Sequence, residues 1–484
     1  MTALHFRSAT ELAADLKSKR VGCRELLEHF IARVERFNPS LNAIIATDLP
    51  AARLRADAAD AALRRGESWG PLHGLPMTVK ESYDVTGLPT TWGVPQFKDN
   101  IARRNALAVD RLLGAGAVVF GKTNVPLMLA DWQSFNAIYG TTSNPWDLSR
   151  TPGGSSGGSA AALAAGLTGL EAGSDIGSSI RNPAHYCGVW GHKPTYGIVS
   201  PKGHALGERA ATGDISVCGP LARGSADLAL ALGIMAGPDE IDGEGWRLEL
   251  PKPKQERLAD FKVALMLEAA DSEVDRAVQD QLQALADFLA KRGARVDDKA
   301  RPSIEARRAH ALYIQLLRAA TSGRLSDAEF AAAQAQAKAL PAEDDSYFAR
   351  MQRANSMHHR DWLRFNEERH RMRLAWAELY RDYDLFLCPA AAGAAPPHDH
   401  AGERWQRTIA VNGKRVPTTD QLFWAGFTCA FYLPATVAPI GASPEGLPIG
   451  VQIAGPQYGD LTCIRFAELL EREYRGFVAP KGYE

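Results

Sequence analysis

From about residue 9 to residue 66, apolar positions recur at helical spacing. SATELAADLKSKR opens on a Ser/Thr cap, and CRELLEHFIARVERFN and DLPAARLRADAADAALRRG follow, so the pattern predicts N-terminal helices over 1–66. From Pro71 the texture changes to short apolar runs broken by Gly and Pro: LHGLPMTVKESYDV and GAGAVVFGKTNV, with VDRLLGAG as a helix between them. That alternation reads as βαβ units in an α/β protein with a mainly parallel or mixed sheet. AALAAGL is a small-residue helix; KVALML, SEVDRAVQDQLQALADFLAKRG and RVDDK then resume the strand, helix, strand order. Residues 303–382 differ, being charged, rich in Ala and Arg, and helical, which predicts a helical insertion or cap. DLFLCPA, FYLPATVAPIG and LPIGVQIAG read as strands and LTCIRFAELLERE as a closing helix. Both ends share one texture, with no repeat and no linker. A single domain over 1–484 is the expectation, its core at 71–220.

Composition narrows the function more than the fold. The 484 residues are 45% hydrophobic and 23% charged, enough to bury a sizeable core. Fifty-five basic and 56 acidic residues leave a net charge of -1, so no global field invites nucleic acid or an anionic membrane. A small-molecule substrate fits better. The six cysteines are dispersed without a CxxC pair and read as buried thiols in a reducing compartment. The first 20 residues lack the apolar core of a signal peptide, and no run of about 18 apolar residues appears. The expectation is a cytoplasmic protein without a membrane span.

Three motifs compete for the chemistry. Gly116–Thr123 matches GxxxxGK[ST], but its interior Ala-Val-Val-Phe is strand-like, whereas a phosphate loop must wrap free N–H groups around phosphates. The esterase elbow GxSxG matches twice within Gly153–Gly158, yet a polar loop, NPWDLSRTP, precedes it where an elbow needs a hydrophobic strand. Its best histidines, His398 and His400, lie in the polar PPHDHAG loop. The third reading needs no histidine: Lys80 ends the apolar run LPMTVK, where a poorly solvated ammonium loses its proton more easily. No HExxH-type ligand set appears, so no metal and no cofactor are expected; His358, His359 and His370 read as surface residues of a charged helix.

Taken together, LHGLPMTVKES, GKTNVP, NPWDLSRTPGGSSGGSAAALAAG, GSDIGSSIRNPAHYCG and GLPIGVQIAG resemble the amidase signature family of serine amidohydrolases. Agreement is dense from Pro71 to Pro194 and thinner at the C-terminus. The resemblance implies a large mixed, mainly parallel central sheet covered by helices on both faces. It also implies a Ser-Ser-Lys triad with one serine in a cis peptide: Lys80 as base, Ser155 as bridging serine and Ser179 as nucleophile. Ile176, Gly177, Ser178 and Ser179 would turn N–H groups toward an oxyanion, with Asp175 and Arg181 holding the turn. The segment NVPLMLADWQSFNAIYG would line the acyl pocket through Leu129, Asp131, Trp132 and Tyr139, with Phe423 and Trp424 on another wall. The implied reaction is hydrolysis of an aryl or medium-length apolar amide, and of esters or carbamates in some relatives. The alternative is the glutaminase subunit of an aminoacyl-tRNA amidotransferase. A homodimer is left open.

Three departures from the family pattern stand out. Ser178 replaces a glycine beside the nucleophile, Glu81 replaces an aspartate after the lysine, and Tyr432 stands where a glycine is common.

Overall fold

The computed structural model describes residues 3–207 and 209–484. Fifteen strands occur in chain order among the described residues. The first five are β1 (Ile44–Thr47), β2 (Pro76–Lys80), β3 (Val118–Thr123), β4 (Phe135–Asn136) and β5 (Gly140–Thr141). Then come β6 (Glu171–Asp175), β7 (Trp190–Lys193), β8 (Val217–Ala222), β9 (Lys262–Leu265) and β10 (Arg295–Asp297). The last are β11 (Leu385–Pro389), β12 (Thr408–Val411), β13 (Lys414–Pro417), β14 (Ala435–Ala442) and β15 (Pro448–Ala454). Eleven of them form one sheet in the order β1-β3-β2-β6-β8-β7-β14-β15-β11-β9-β10; β4-β5 and β12-β13 are separate two-stranded ribbons.

The sheet is mixed, as expected, but not mainly parallel. Of its ten pairings, β2-β3, β2-β6, β9-β11 and β9-β10 are parallel and the other six antiparallel. Connection length accounts for one of these pairings. β14 and β15 are joined by only Ser443–Leu447, too short for the crossover that a parallel pair requires, so they fold as a hairpin. Apolar runs alone do not reveal which way a strand returns. Strands β2, β6, β7, β8, β11 and β15 are buried at every residue, which requires cover on both faces.

The helices follow the periodicity closely. Ala9–Lys17 starts at Ser8, whose side chain accepts from the Glu11 N–H in a capping box. The 303–382 segment folds into the helices Ala306–Ser322, Asp327–Ala339, Tyr347–Asn355 and His359–Asp382. Within the N-terminal stretch read as helical, β1 is an unexpected strand: IIAT is too short to show a period, and it pairs antiparallel with β3. The GKT of the phosphate-loop match lies inside β3, its backbone in ladders with β1 and β2. All six cysteines are buried and free. No described helix is long and apolar enough to cross a membrane.

The glycine-serine run leads into the helix Gly157–Ala164, buried on every side. A Cβ on Gly158 would lie 2.4 Å from the Asn124 nitrogen and 2.8 Å from the Ala43 oxygen, both main-chain atoms. Gly158→Ala should therefore lower unfolding free energy by about 1–3 kcal/mol or more in urea denaturation. Gly233→Ala, in the helix Ser225–Met235 where a Cβ meets nothing within 4 Å, should raise it by about 0.5–1 kcal/mol.

Candidate active site

Lys80 is the last residue of β2 and fully buried. Its Nζ donates to Ser155 Oγ at 2.6 Å and to Ser174 Oγ at 2.9 Å. Burial pushes the amine down from its ordinary 10.5 to about 7, against the opposing pull of the Asp175 carboxylate. Ser174 was not foreseen from the sequence. Strand β6 lies beside β2 in parallel register, Thr78 opposite Glu171, which carries the end of β6 alongside Lys80.

Ser155 follows a cis peptide bond from Gly154. Gly154 must be glycine, because a Cβ there would sit 2.4 Å from the Asp131 carbonyl oxygen. The Ser156 N–H donates to the Ser179 carbonyl at 3.1 Å, tying the segment that carries Ser155 to the turn that carries Ser179. Ser179 lines a cavity and, among the described residues, its hydroxyl has no hydrogen-bond partner.

The turn after β6 is built around Asp175. Its carboxylate accepts from the Ser178 N–H at 2.9 Å and the Ile180 N–H at 3.1 Å, and forms a two-point ion pair with Arg181. Both side chains are wholly buried. Burial alone would raise the Asp175 carboxyl, but the guanidinium outweighs it and holds the group at about 2. This corrects the expected oxyanion donors: the Ser178 N–H points at Asp175 and is not free. The N–H groups of Ile176, Gly177 and Ser179 have no acceptor among the described residues, and all three residues line the cavity. Tyr313 Oη donates to the Ile176 carbonyl at 3.0 Å and Trp132 Nε1 to the Gly177 carbonyl at 2.7 Å, so the turn is also gripped from its carbonyl side.

Leu129, Asp131 and Trp132 line the cavity, with Met128, Leu317 and Leu422 completing an apolar wall. The Asp131 carboxylate is taken by Arg407 at 2.6 Å. Tyr139 does not line it. The Asn136 side chain accepts the Ile138 and Tyr139 N–H groups in the β4-β5 turn, and Asn42 pins the Tyr139 carbonyl, so its ring stands near Thr91 and Glu81. Phe423 and Trp424 are core residues of the helix Leu422–Cys429; only Leu422 of that helix reaches the cavity. Glu81 accepts the Thr91 and Trp92 N–H groups. Tyr432 stays outside the cavity, stacked on Tyr196 and bonded to Asp214 at 2.6 Å. Arg318, Arg324 and Arg404 also line the cavity, unforeseen because they come from separate segments outside every motif. Among the described residues no group of three or more His, Cys, Asp or Glu side chains is placed to hold a metal ion.

The family model for amidases matches residues 25–464. This chain belongs to the amidase family. An acylamidase of Rhodococcus erythropolis is 34% identical over 477 residues, 97% of this chain and 95% of that protein. An indoleacetamide hydrolase of Bradyrhizobium diazoefficiens is 33% identical, covering 99% of this chain and 88% of its own. One component of the glutamyl-tRNA(Gln) amidotransferase of Bdellovibrio bacteriovorus is 31% identical, covering 97% of each. In fold, the chain is similar to a bacterial aryl acylamidase of the amidase signature enzymes, with a TM-score of 0.79, 24% identity and 97% and 96% coverage. Membership makes the chain a hydrolase of amide C–N bonds.

The family glycine's conformation survives its replacement: Ser178 has φ +74° and Tyr432 φ +65°. The Ser178 hydroxyl is buried without a partner among the described residues. Ser178→Gly removes both penalties and should raise unfolding free energy by about 1–2 kcal/mol in denaturant titration. Ser178→Ala, which keeps the backbone strain, should gain less.

Proposed function

We propose that this amidase cleaves a carboxylic amide through an acyl-enzyme on Ser179, with Lys80 as general base and Ser155 as the relay between them. The observation that carries the reading is the buried Lys80 amine, held near 7, against Ser155 at 2.6 Å, with Ser179 on the neighbouring turn at the cavity wall. Neutral Lys80 takes the Ser155 proton as Ser155 takes that of Ser179, and the Ser179 oxygen attacks the carbonyl carbon. The carbonyl electrons move onto oxygen, where the unpaired N–H groups of Ile176, Gly177 and Ser179 supply donors. Each such donor is worth about 100- to 1000-fold in rate. As the tetrahedral adduct collapses, the proton returns through Ser155 to the departing amine. Water then attacks the ester by the same route and releases the acid.

The wall of Met128, Leu129, Trp132, Leu317 and Leu422 supports an aryl or medium-length apolar amide, with esters or carbamates as further substrates. The names of the acylamidase and indoleacetamide hydrolase relatives favour the same class. The amidotransferase relatives favour the glutaminase alternative. Against it, the α-ammonium of glutamine calls for an open carboxylate, and the cavity's Asp131 is committed to Arg407. Hydrolysis by the purified chain without a partner separates the two.

On a panel of aryl amides, aliphatic amides, carbamates and esters, Ser179→Ala should lose about 1000-fold or more in kcat/KM. Ser178→Ala should keep most of it; the reverse pattern would place the nucleophile wrongly. Because Lys80 works in its neutral form, kcat/KM should rise about tenfold per pH unit below about 7 and level off above it. Lys80→Ala should abolish that limb.

A further inference from the structure

Arg318, Arg324 and Arg404 face the cavity that Ser179 lines, and among the described residues none has a carboxylate partner. Each donates hydrogen bonds through a single terminal nitrogen, and the guanidinium groups of Arg318 and Arg324 also lie over the rings of Tyr347 and Trp92, 5.3 Å and 4.8 Å from their centroids. Arg318 donates to the Tyr347 hydroxyl, Arg404 to the Ala130 carbonyl, and Arg324 to the Met128 carbonyl at 3.3 Å. The Nε atoms of Arg318 and Arg404 are buried with no acceptor.

The most deeply buried arginines of this chain are met by carboxylates or by several carbonyls, although the Arg223 Nε, like those of Arg318 and Arg404, has no acceptor among the described residues. Arg181 pairs with Asp175 and Arg369 with Asp214, while Arg33 and Arg223 each donate to three backbone carbonyls. An enclosed guanidinium stays charged and is costly to leave without an acceptor. Three of them around one cavity, whose Asp131 already pairs with Arg407, leave a concentrated positive field with forked donors unused. Burial lowers all three, Arg324 to about 10, in keeping with a site short of negative charge.

We propose that the substrate carries a carboxylate in addition to its scissile amide, and that Arg318, Arg404 and Arg324 receive it. The inference rests on the hydrolytic reading above and sharpens it: the substrate is amphipathic, apolar along the Leu129–Trp132 wall and anionic at one end. The carboxylate belongs either to the acyl part, as in a monoamide of a medium-length dicarboxylic acid, or to the amine part, as in an N-acyl amino acid.

The test compares kcat/KM for two matched pairs. The first pair is a six-carbon dicarboxylic monoamide and the neutral amide of equal length. The second is an N-phenylacetyl amino acid and the corresponding N-alkyl phenylacetamide. The anionic member of one pair should exceed its neutral partner by about 10- to 100-fold, and the pair that shows this identifies which end carries the charge. Arg318→Met and Arg404→Met should each bring that ratio down about tenfold, whereas Arg318→Lys should keep part of it. Equal or lower turnover of the anionic member in both pairs overturns the proposal, as does a ratio that survives both Met substitutions. Calorimetric titration of the Ser179→Ala protein with the six-carbon dicarboxylate reads the site without turnover. Binding that Arg404→Met weakens about tenfold supports it, and no binding overturns it. Failure of the hydrolytic reading looks different: neutral amides would then be untouched, or cleaved equally well by Ser179→Ala.

Discussion

A fully buried ion pair between Asp175 and Arg181 organises the centre of this protein. Asp175 ends β6, and its two oxygens gather the N–H groups of Ser178 and Ile180 as well as the guanidinium, which fixes the turn that presents Ser179. Arg181 reaches the other way. It donates to Thr428 Oγ1 at 2.6 Å and to the Gln452 side chain, tying the turn to the helix Leu422–Cys429 and to β15. A buried pair of this kind is a poor source of net stability, because desolvation offsets most of the attraction, but removing one member strands the other at a cost of about 3–5 kcal/mol. Its value here is positional: it makes the fold of residues 420–455 a condition for the geometry of residues 175–181.

The same dry interior treats two ionisable groups in opposite ways, and the difference lies in their partners. Asp175 stays charged because a guanidinium touches it. Lys80 is met by the hydroxyls of Ser155 and Ser174 and no carboxylate lies within bonding distance, so desolvation prevails and its amine approaches neutrality near pH 7. Glu171, also buried in β6, is pushed up to about 8 and bonded by Thr78, so it supplies little fixed negative charge to hold the proton on Lys80. A carboxylate in contact with Lys80 would instead hold it as a cation.

What the sequence made legible follows from how local each signal is. Helical periods survived nearly intact, as in SEVDRAVQDQLQALADFLAKRG, now the helix Arg276–Lys291. Strand direction did not, because it depends on where a chain returns, and β1 was too short to announce itself. The motif block singled out Lys80, Ser155 and Ser179, and GAGAVVFGKT does contain a strand, β3. It could not show that the Ser178 N–H is turned onto Asp175, since that depends on the direction of one amide within a turn. Tyr139 went astray for a similar reason: Asn136 and Asn42 fasten its backbone and swing the ring away from the cavity.

The cavity divides between two kinds of sequence. Ile176, Gly177 and Ser179 of its lining come from the glycine-rich blocks. There, close main-chain packing leaves no room for change, as the 2.4 Å approach of a Cβ on Gly154 to the Asp131 carbonyl shows. Leu317, Arg318 and Arg324 come from the helical segment between β10 and β11, and Arg404 from the loop after β11. Those side chains reach the cavity from elements distant in sequence from the glycine-rich turn, Leu317 and Arg318 from the helix Ala306–Ser322 that is itself packed into the core. The motif blocks therefore make the reaction class readable, whereas the leucine and arginine side chains of the cavity come from where no motif exists and only the folded chain brings them together.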